Sequence, residues 1–360
     1  MHGNTSSPRK GLDLMKRLAS LSMAVAGTLL LAAPTLACGG LIGPNGAVNL
    51  LRTTTFAGYH DGVEHYVTSF EFAGGEGEFG SIVPLPGIPT DVVRGGDWTL
   101  QRLVQETQPQ EFAAPGLFAA AGSAVRDAQV LQQVKIDALE ITILKGGGDE
   151  VGLWAVDHGF RLPPDAPEVL DFYAERSPIF MAARFDADAA RKRGQNVGDG
   201  TPVHLTIPTD NPWVPLRILA LGRTEAETVQ ADVFLLTDEQ PALLPDPNGL
   251  LGTPGLSLQH AAPANAQLLD DLRSDKGMEW VPQSAWLTKI AIDAAASQLS
   301  YDLAVDAGGL APSRTAAGFE AATPGSAPAD PRLETYALLG IALAAVGTIA
   351  LLRRPRPAAA

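Results

Sequence analysis

The sequence predicts an α+β domain, built from a mostly antiparallel sheet with short helices, between an N-terminal signal peptide and a C-terminal transmembrane helix. Three observations support this prediction: an early β-hairpin signal, short helix patterns that alternate with strand-like runs, and an uncharged apolar run near each end. Apolar residues make up 46% of the 360 residues, so the chain can bury a sizeable core.

The first 37 residues follow the order of a bacterial secretory signal: a basic region, an apolar run over 18–33, and small residues before a cleavage position. We therefore predict a signal peptide over 1–37, with cleavage between Ala37 and Cys38. Cys38 would then begin the mature chain, which makes it a candidate for lipid attachment. The residues before Ala37 match a lipobox poorly, so cleavage without lipidation stays open as the alternative.

The run over 336–352 contains no charged residue and would span about 25 Å as a helix, slightly less than a hydrocarbon core of roughly 30 Å. We predict a transmembrane helix over 334–353 and a cytoplasmic tail over 354–360, because positive charge follows the helix. Removal of this end as a sorting tail remains an alternative. The flanking basic residues are Arg353, Arg354 and Arg356.

Between the two ends we predict an extracytoplasmic domain over 38–305 and a flexible stalk over 306–333, which is rich in Ala, Gly, Pro and Ser. Residues 38–332 carry 19 Lys and Arg against 38 Asp and Glu. This acidic character argues against nucleic acid as a partner, because nucleic-acid binding needs a basic face. The single cysteine excludes disulfides within the chain and cysteine-based zinc sites.

The clearest local element is a β-hairpin around Asp61-Gly62, a strong signal for a two-residue turn. This turn would pair residues whose numbers sum to 123, so that Ala57 opposes Tyr66 on a buried face. Both strand-like runs support this register, because their apolar residues then share one face. The runs cover 48–60 and 63–72.

His60 and His65 would share the other, polar face of this hairpin, near Asp61 and Glu64. Imidazole and carboxylate groups are metal ligands, so a metal site at the tip is conceivable. Solvated histidines and carboxylates are the more common use of such a tip, and we therefore predict no metal and no cofactor.

Short helices are predicted after N-cap residues at Asp97, Asp149 and Asp165, the last with the capping-box partner Glu168. A basic loop is predicted over 190–200, with Arg191, Lys192 and Arg193 as its charges. Gly146-Gly147-Gly148 lacks the pattern of a phosphate-binding loop. A further element is predicted over 262–273, and further strands over 79–85, 134–144, 179–185, 203–207, 213–221, 229–236 and 286–292.

Several segments together resemble the bacterial family called domain of unknown function 2330. They are Cys38-Gly39-Gly40 after a signal, IVPLPGIP at 82–89, GDEVGLWAVDHGF at 148–160, and the stretches at 167–186 and 202–222. The resemblance implies an exported protein, often with a C-terminal membrane helix. It implies no activity and supplies no catalytic residues.

No catalytic constellation is recognisable in the sequence: neither a Gly-x-Ser-x-Gly elbow nor a His-Glu-x-x-His motif occurs. We therefore expect a non-enzymatic binding or cell-envelope interaction module, held in the cell membrane by a single pass with its N-terminal domain outside. Its partners would be membrane lipid, through the helix, and an envelope protein. The alternatives are an extracytoplasmic hydrolase with a carboxylate-based site and an accessory subunit of a membrane complex.

Overall fold

The computed structural model describes residues 40–43, 46–47, 53–71, 78–107, 128–196, 200–248 and 253–319. The predicted signal peptide with Ala37 and Cys38 lies outside these ranges. So do the predicted transmembrane helix and the residues that flank it, Arg353, Arg354 and Arg356. Within the described ranges, no helix has the length and apolar character needed to cross a membrane.

The described residues form short helices and many strands. The α-helices are α1 (Thr99–Thr107), α2 (Gly148–Asp157), α3 (Ala166–Ala174), α4 (Ala187–Lys192) and α5 (Ala266–Ser274). The strands are β1 (Gly40–Gly43), β2 (Gly46–Ala47), β3 (Thr53–His60), β4 (Val63–Glu71), β5 (Glu78–Pro84), β6 (Asp91–Arg94), β7 (Gln129–Ile136), β8 (Leu139–Lys145), β9 (Ile179–Asp186), β10 (Gly200–Pro208), β11 (Trp213–Val214), β12 (Thr228–Thr237), β13 (Ala242–Leu244), β14 (Leu256–Pro263), β15 (Trp286–Ala295) and β16 (Leu303–Asp306).

These strands form two large sheets and one small sheet. The seven-stranded sheet has the order β14-β15-β12-β3-β4-β10-β6, and the six-stranded sheet has the order β2-β1-β5-β9-β8-β7. The small sheet has the order β11-β16-β13. Each pairing is antiparallel except that of β12 with β3, which is parallel. The predicted α+β class with mostly antiparallel strands is therefore confirmed.

The two large sheets pack face to face, and helices cover their outer faces. The central core joins residues of both sheets, such as Val233 from the seven-stranded sheet and Met181 from the six-stranded one. Trp154 of α2 and Tyr173 of α3 pack with the outer face of the six-stranded sheet. Helices α1 and α5 pack with the outer face of the seven-stranded sheet in the same way. The domain therefore has four layers, because each sheet buries both of its faces.

The predicted hairpin and its register are confirmed. Ala57 pairs with Tyr66 and His60 with Val63, and both members of the first pair are buried. The turn places Asp61 at φ 50° and Gly62 at φ 77°. Positive φ at both turn residues gives the two-residue turn that matches the twist of antiparallel strands.

Three of the other predicted segments differ from the structure. The single strand predicted over 134–144 is a hairpin of β7 and β8, which turns at Asp137 with φ 53°. The strand predicted over 213–221 ends after β11 and continues as a 3-10 turn. The basic loop predicted over 190–200 begins inside α4, where Arg191 pairs with Asp188. Apolar periodicity alone did not locate these breaks.

Helix α1 is capped by a distant carboxylate instead of the predicted N-cap Asp97. The buried side chain of Asp275 accepts hydrogen bonds from the backbone N–H groups of Asp97, Trp98 and Thr99, at 3.0, 3.1 and 2.8 Å. The Thr99 hydroxyl donates to the same carboxylate at 2.7 Å. A residue far along the chain therefore satisfies the first N–H groups of this helix.

The other two predicted N-caps also differ. Helix α2 begins at Gly148, so that Asp149 lies in its first turn, and Glu150 accepts a hydrogen bond from the Gly147 N–H at 2.9 Å. Asp165 precedes α3 without capping it, because its carboxylate accepts the N–H of Gly222 instead. Glu168, the predicted partner in the capping box, forms an ion pair with Arg217.

Residues 306–319 belong to the folded domain, although the sequence assigned them to the stalk. The Asp306 carboxylate accepts three backbone N–H groups of the loop that follows it. Ala317 is fully buried, and its carbonyl accepts the Asp302 N–H at 3.0 Å. The folded unit therefore extends to Phe319. The rest of the predicted stalk lies outside the described residues.

Candidate functional site

A small, mostly apolar pocket lies on the outer face of the six-stranded sheet, where α2 ends. Its volume, counted together with the solvent at its mouth, is about 230 Å³. Most of this volume is open solvent, and the enclosed part has room for about one water-sized group, such as a single carbonyl oxygen. The lining residues are Glu140, Thr142, Trp154, His158, Phe160, Ala182 and Arg184.

The pocket forms because α2 covers only part of the sheet. Thr142 of β8 and Ala182 of β9 are cross-strand partners that line the pocket together with Trp154 and Phe160. The chain reverses after α2 and brings the Phe160 ring onto Gly80 of β5. A Cβ at Gly80 would lie 1.9 Å from that ring, so only glycine permits this approach.

A compensated ion pair forms one side of the pocket. Glu140 and Arg184 are direct cross-strand partners, and the guanidinium donates to a carboxylate oxygen at 2.7 Å. Gln133 donates to the other carboxylate oxygen at 2.6 Å. Both oxygens of Glu140 are therefore held by neighbours, which fixes the position of the carboxylate.

A tryptophan and a histidine form another side of the pocket. The His158 ring stacks on the Trp154 indole, with ring centroids 3.9 Å apart and planes 17° apart. His158 Nδ1 lies 2.6 Å from the Trp154 carbonyl oxygen, so this nitrogen carries the proton and donates. The Trp154 indole N–H is buried and has no acceptor among the described residues. It is a donor that a bound group would satisfy.

This arrangement is suited to binding a small neutral group that has a hydrogen-bond acceptor. The charge of Glu140 is already balanced by Arg184, so a second net charge in the pocket would lack a counter-ion. A retaining or inverting glycosidase needs two carboxylates at defined separation. The lining residues that the structure describes include one carboxylate, and it is already held on both oxygens.

The histidines of the hairpin lie elsewhere, on the outer face of the seven-stranded sheet. His60 Nδ1 is 2.7 Å from an Asp238 carboxylate oxygen. His65 Nδ1 is 3.0 Å from Nε2 of His204, and the His65 ring stacks on Trp280 at 3.8 Å and 2°. The predicted tip is therefore partly covered. The described residues contain no group of three or more His, Cys, Asp and Glu arranged to hold a metal ion.

The basic residues predicted as a loop cluster are partly neutralised. Arg191 pairs with Asp188, and Arg193 lies 3.7 Å from an Asp137 carboxylate oxygen. The pocket could not be predicted from the sequence, because its two sides come from strands and a helix that no motif connects. The Trp154–His158 stack had one local signal: the two residues are four apart on one helix face.

Comparison with known proteins gives no functional counterpart. No curated protein matches the chain. The crystal structure of baculovirus P35 is 8% identical and covers 71% of this chain and 95% of its own, with a TM-score of 0.38. A mutated baculovirus P35 after caspase cleavage, at 2.7 Å resolution, is 7% identical over 70% of this chain and 98% of its own, also with a TM-score of 0.38. These TM-scores are too low to carry an argument.

A family profile matches more than half of the chain. Residues 32–240 match the profile of an uncharacterized protein conserved in bacteria, domain of unknown function 2330. The matched residues include β3 to β12, and with them the whole lining of the pocket. They make up more than half of the 360 residues. The chain therefore belongs to the domain of unknown function 2330 family.

Proposed function

We propose that this protein is a membrane-anchored extracytoplasmic binding module of the cell envelope, which holds a small neutral group of a partner in the pocket at the end of α2. The observation that carries the proposal is the Trp154 indole N–H, which is buried beside the pocket without an acceptor. Burying a donor without a partner costs about 1–3 kcal/mol, and a bound acceptor would remove this cost.

The localisation in this proposal is inferred from the sequence. The signal pattern over 1–37 supports export, and the uncharged run followed by Arg353, Arg354 and Arg356 supports a single membrane pass with a cytoplasmic C-terminus. Membrane fractionation of the full chain tests the anchor. We expect carbonate-resistant membrane association, which deletion of 334–353 abolishes when Cys38→Ser also removes the possible lipid attachment; release of the undeleted chain by carbonate would contradict the anchor.

The mass of the mature protein tests whether the predicted signal peptide is cleaved. We expect a chain that begins at Cys38, with or without the mass of an attached lipid. A mature chain that still contains 1–37 would contradict export through a cleaved signal.

The pocket is tested by NMR on the full chain in nanodiscs, with the tryptophan indoles labelled with ¹⁵N. The Trp154 signal is assigned by its loss in Trp154→Phe. Acetamide is the probe, because it is small, neutral and rich in acceptor character. We expect the Trp154 signal to shift at concentrations on the order of 10 mM, as for a weak ligand of few atoms.

The other tryptophans and a charged probe provide the controls. The signals of Trp98, Trp213, Trp280 and Trp286 should stay in place, and acetate should shift the Trp154 signal less than acetamide does. The pocket proposal would be contradicted if acetamide left the NMR signal of the Trp154 indole unchanged, or if it shifted the signals of all five tryptophans together.

A further inference from the structure

The outer face of α2 carries two exposed apolar side chains within an acidic surface. Leu153 is 64% exposed and Val156 is 54% exposed. Asp149, Glu150 and Asp157 are the other exposed side chains on this face. At about 100° per residue, these five positions fall within an arc of roughly 120°. We call this set the Leu153 stripe.

Acidic residues outnumber basic ones around the Leu153 stripe, where the exposed Lys145 and Arg161 are the basic residues of the segments that directly flank α2. Neither α2 nor its neighbour α3 contains a lysine or an arginine. The Asp171 carboxylate of α3 lies beside the N-terminus of α2, where a Cβ at Gly148 would come within 2.2 Å of it. The stripe ends next to the pocket, because His158 directly follows Asp157.

Each of the two apolar side chains alone would be unremarkable on a protein surface. Their position one turn apart on one helix face makes them a pair that a single partner residue can cover. Helix α2 already buries its opposite face, through Val151, Trp154 and Ala155. The exposed pair therefore adds nothing to the core that the structure describes.

We propose that the Leu153 stripe is a docking surface for a basic protein segment that carries an apolar residue. This inference rests on the proposed binding function, because the stripe would bring the partner to the mouth of the pocket. The charge of the stripe selects the occupant: acidic segments and anionic lipid surfaces are repelled, and a cationic segment is attracted. A second copy of this chain is disfavoured, because a two-fold contact would bring two acidic stripes together.

The test uses the full chain in phosphatidylcholine nanodiscs, with empty discs as the background. The probe is the fluorescent peptide Lys-Lys-Leu-Leu-Lys-Lys, and its affinity is measured by anisotropy at low and high salt. Two peptides separate the contributions: one replaces both leucines with serine, and the other replaces all lysines with glutamate. We expect the Lys-Lys-Leu-Leu-Lys-Lys probe to bind more tightly than either of these two peptides, and its affinity to fall with salt.

Variants of the stripe locate the binding. The double variant Leu153→Ser/Val156→Ser should lower the affinity for the probe about 10-fold, because it removes the apolar anchor. The double variant Asp149→Asn/Asp157→Asn should also lower the affinity for the probe, and it should reduce the salt dependence of that affinity. Leu310→Ser is the matched control, because Leu310 is a leucine in the loop after β16 that is 86% exposed, and its replacement should leave the affinity unchanged.

Two results would overturn the docking proposal: equal affinity for the serine peptide, or an effect of Leu153→Ser/Val156→Ser no larger than that of Leu310→Ser. Trp154→Phe separates this proposal from the pocket, since it removes the indole N–H and keeps the stripe. Binding of the lysine peptide that survives while acetamide fails to shift the Trp154 signal would reject the pocket and retain the docking surface.

Discussion

Arg176 and Asp302 form a buried ion pair, with Nη2 of the guanidinium 2.5 Å from a carboxylate oxygen. The other oxygen of Asp302 accepts hydrogen bonds from the Tyr173 hydroxyl at 2.8 Å and from the Leu216 backbone N–H at 2.7 Å. Arg176 also donates to the Ala316 carbonyl oxygen at 2.8 Å. This one pair therefore connects α3, β16, the chain after β11 and the end of the folded domain.

Asp302→Ala should lower the free energy of unfolding by about 3–5 kcal/mol, because it leaves the Arg176 charge buried without its partner. Asp188→Ala is the matched control. It removes an exposed ion pair with Arg191 and should cost less than about 1 kcal/mol. Urea denaturation of the full chain, followed by circular dichroism, measures both. Equal losses in the two variants would show that Asp302 is not a structural centre.

Asp275→Ala should loosen α1 more than the rest of the domain. The Asp275 carboxylate accepts three backbone N–H groups at the start of this helix, besides the Thr99 hydroxyl. Loss of a helix cap typically costs about 1 kcal/mol, and unsatisfied buried groups add to that cost.

Hydrogen exchange measures the effect of Asp275→Ala. We expect faster exchange across Thr99–Thr107 and little change across β12, which lies in the middle of the seven-stranded sheet. Asp97→Ala is the control, since Asp97 is the cap that the sequence predicts. Faster exchange of α1 in that variant alone would contradict the role of Asp275.

The contrast between Asp97 and Asp275 shows what the sequence could predict. The Asp61-Gly62 hairpin was predicted with its register, because two adjacent turn residues determine it. Asp275 lies 178 residues from Asp97, and His204 lies 139 residues from His65. Periodicity and capping patterns report neighbours in sequence, so they indicated the presence of most elements and could not identify these distant partners.

The same reasoning explains why the pocket was not predicted. Glu140 and Arg184 come together only because β8 pairs with β9 in one register, and Trp154 joins them from a helix between those strands. The strand run over 134–144 was predicted without its turn at Asp137. The register that places Glu140 opposite Arg184 was therefore not available from the sequence.

His204→Gln should protect the fold against mild acid. Burial lowers the pKa of His204 to about 4, against the opposing influence of Asp91 and Glu279. In the unfolded chain His204 takes up a proton near pH 6.5, whereas in the folded protein it does so only near pH 4. Wild-type stability should therefore fall by about 1.4 kcal/mol per pH unit, relative to the variant, as pH drops through this window.

Urea denaturation at several pH values between 6.5 and 4 checks the behaviour of His204. The difference between His204→Gln and wild type should grow steadily as the pH falls. His260→Gln serves as the control, because His260 lies partly exposed on the edge strand β14. A difference that stays constant over the whole window would mean that His204 already carries its proton in the folded protein.

Glu64→Gln should stabilise the protein at neutral pH. Glu64 lies on β4 and is fully buried, and burial raises its pKa to about 8, while the nearby Trp213 backbone lowers it slightly. Neither carboxylate oxygen accepts a hydrogen bond of normal geometry from the described residues. The folded protein therefore keeps a proton that the unfolded chain releases near pH 4.5.

This Glu64 contribution is fully present below pH 4.5 and is lost as the pH rises towards 8, at about 1.4 kcal/mol per pH unit. Gln does not ionise, so Glu64→Gln should exceed wild type by about 3 kcal/mol at pH 7 relative to their difference at pH 4.5. Glu239→Gln, at an exposed position in the turn after β12, is the control. If the free energy of unfolding of Glu64→Gln, relative to wild type, instead fell as the pH rises, Glu64 would be ionised and paired in the folded protein.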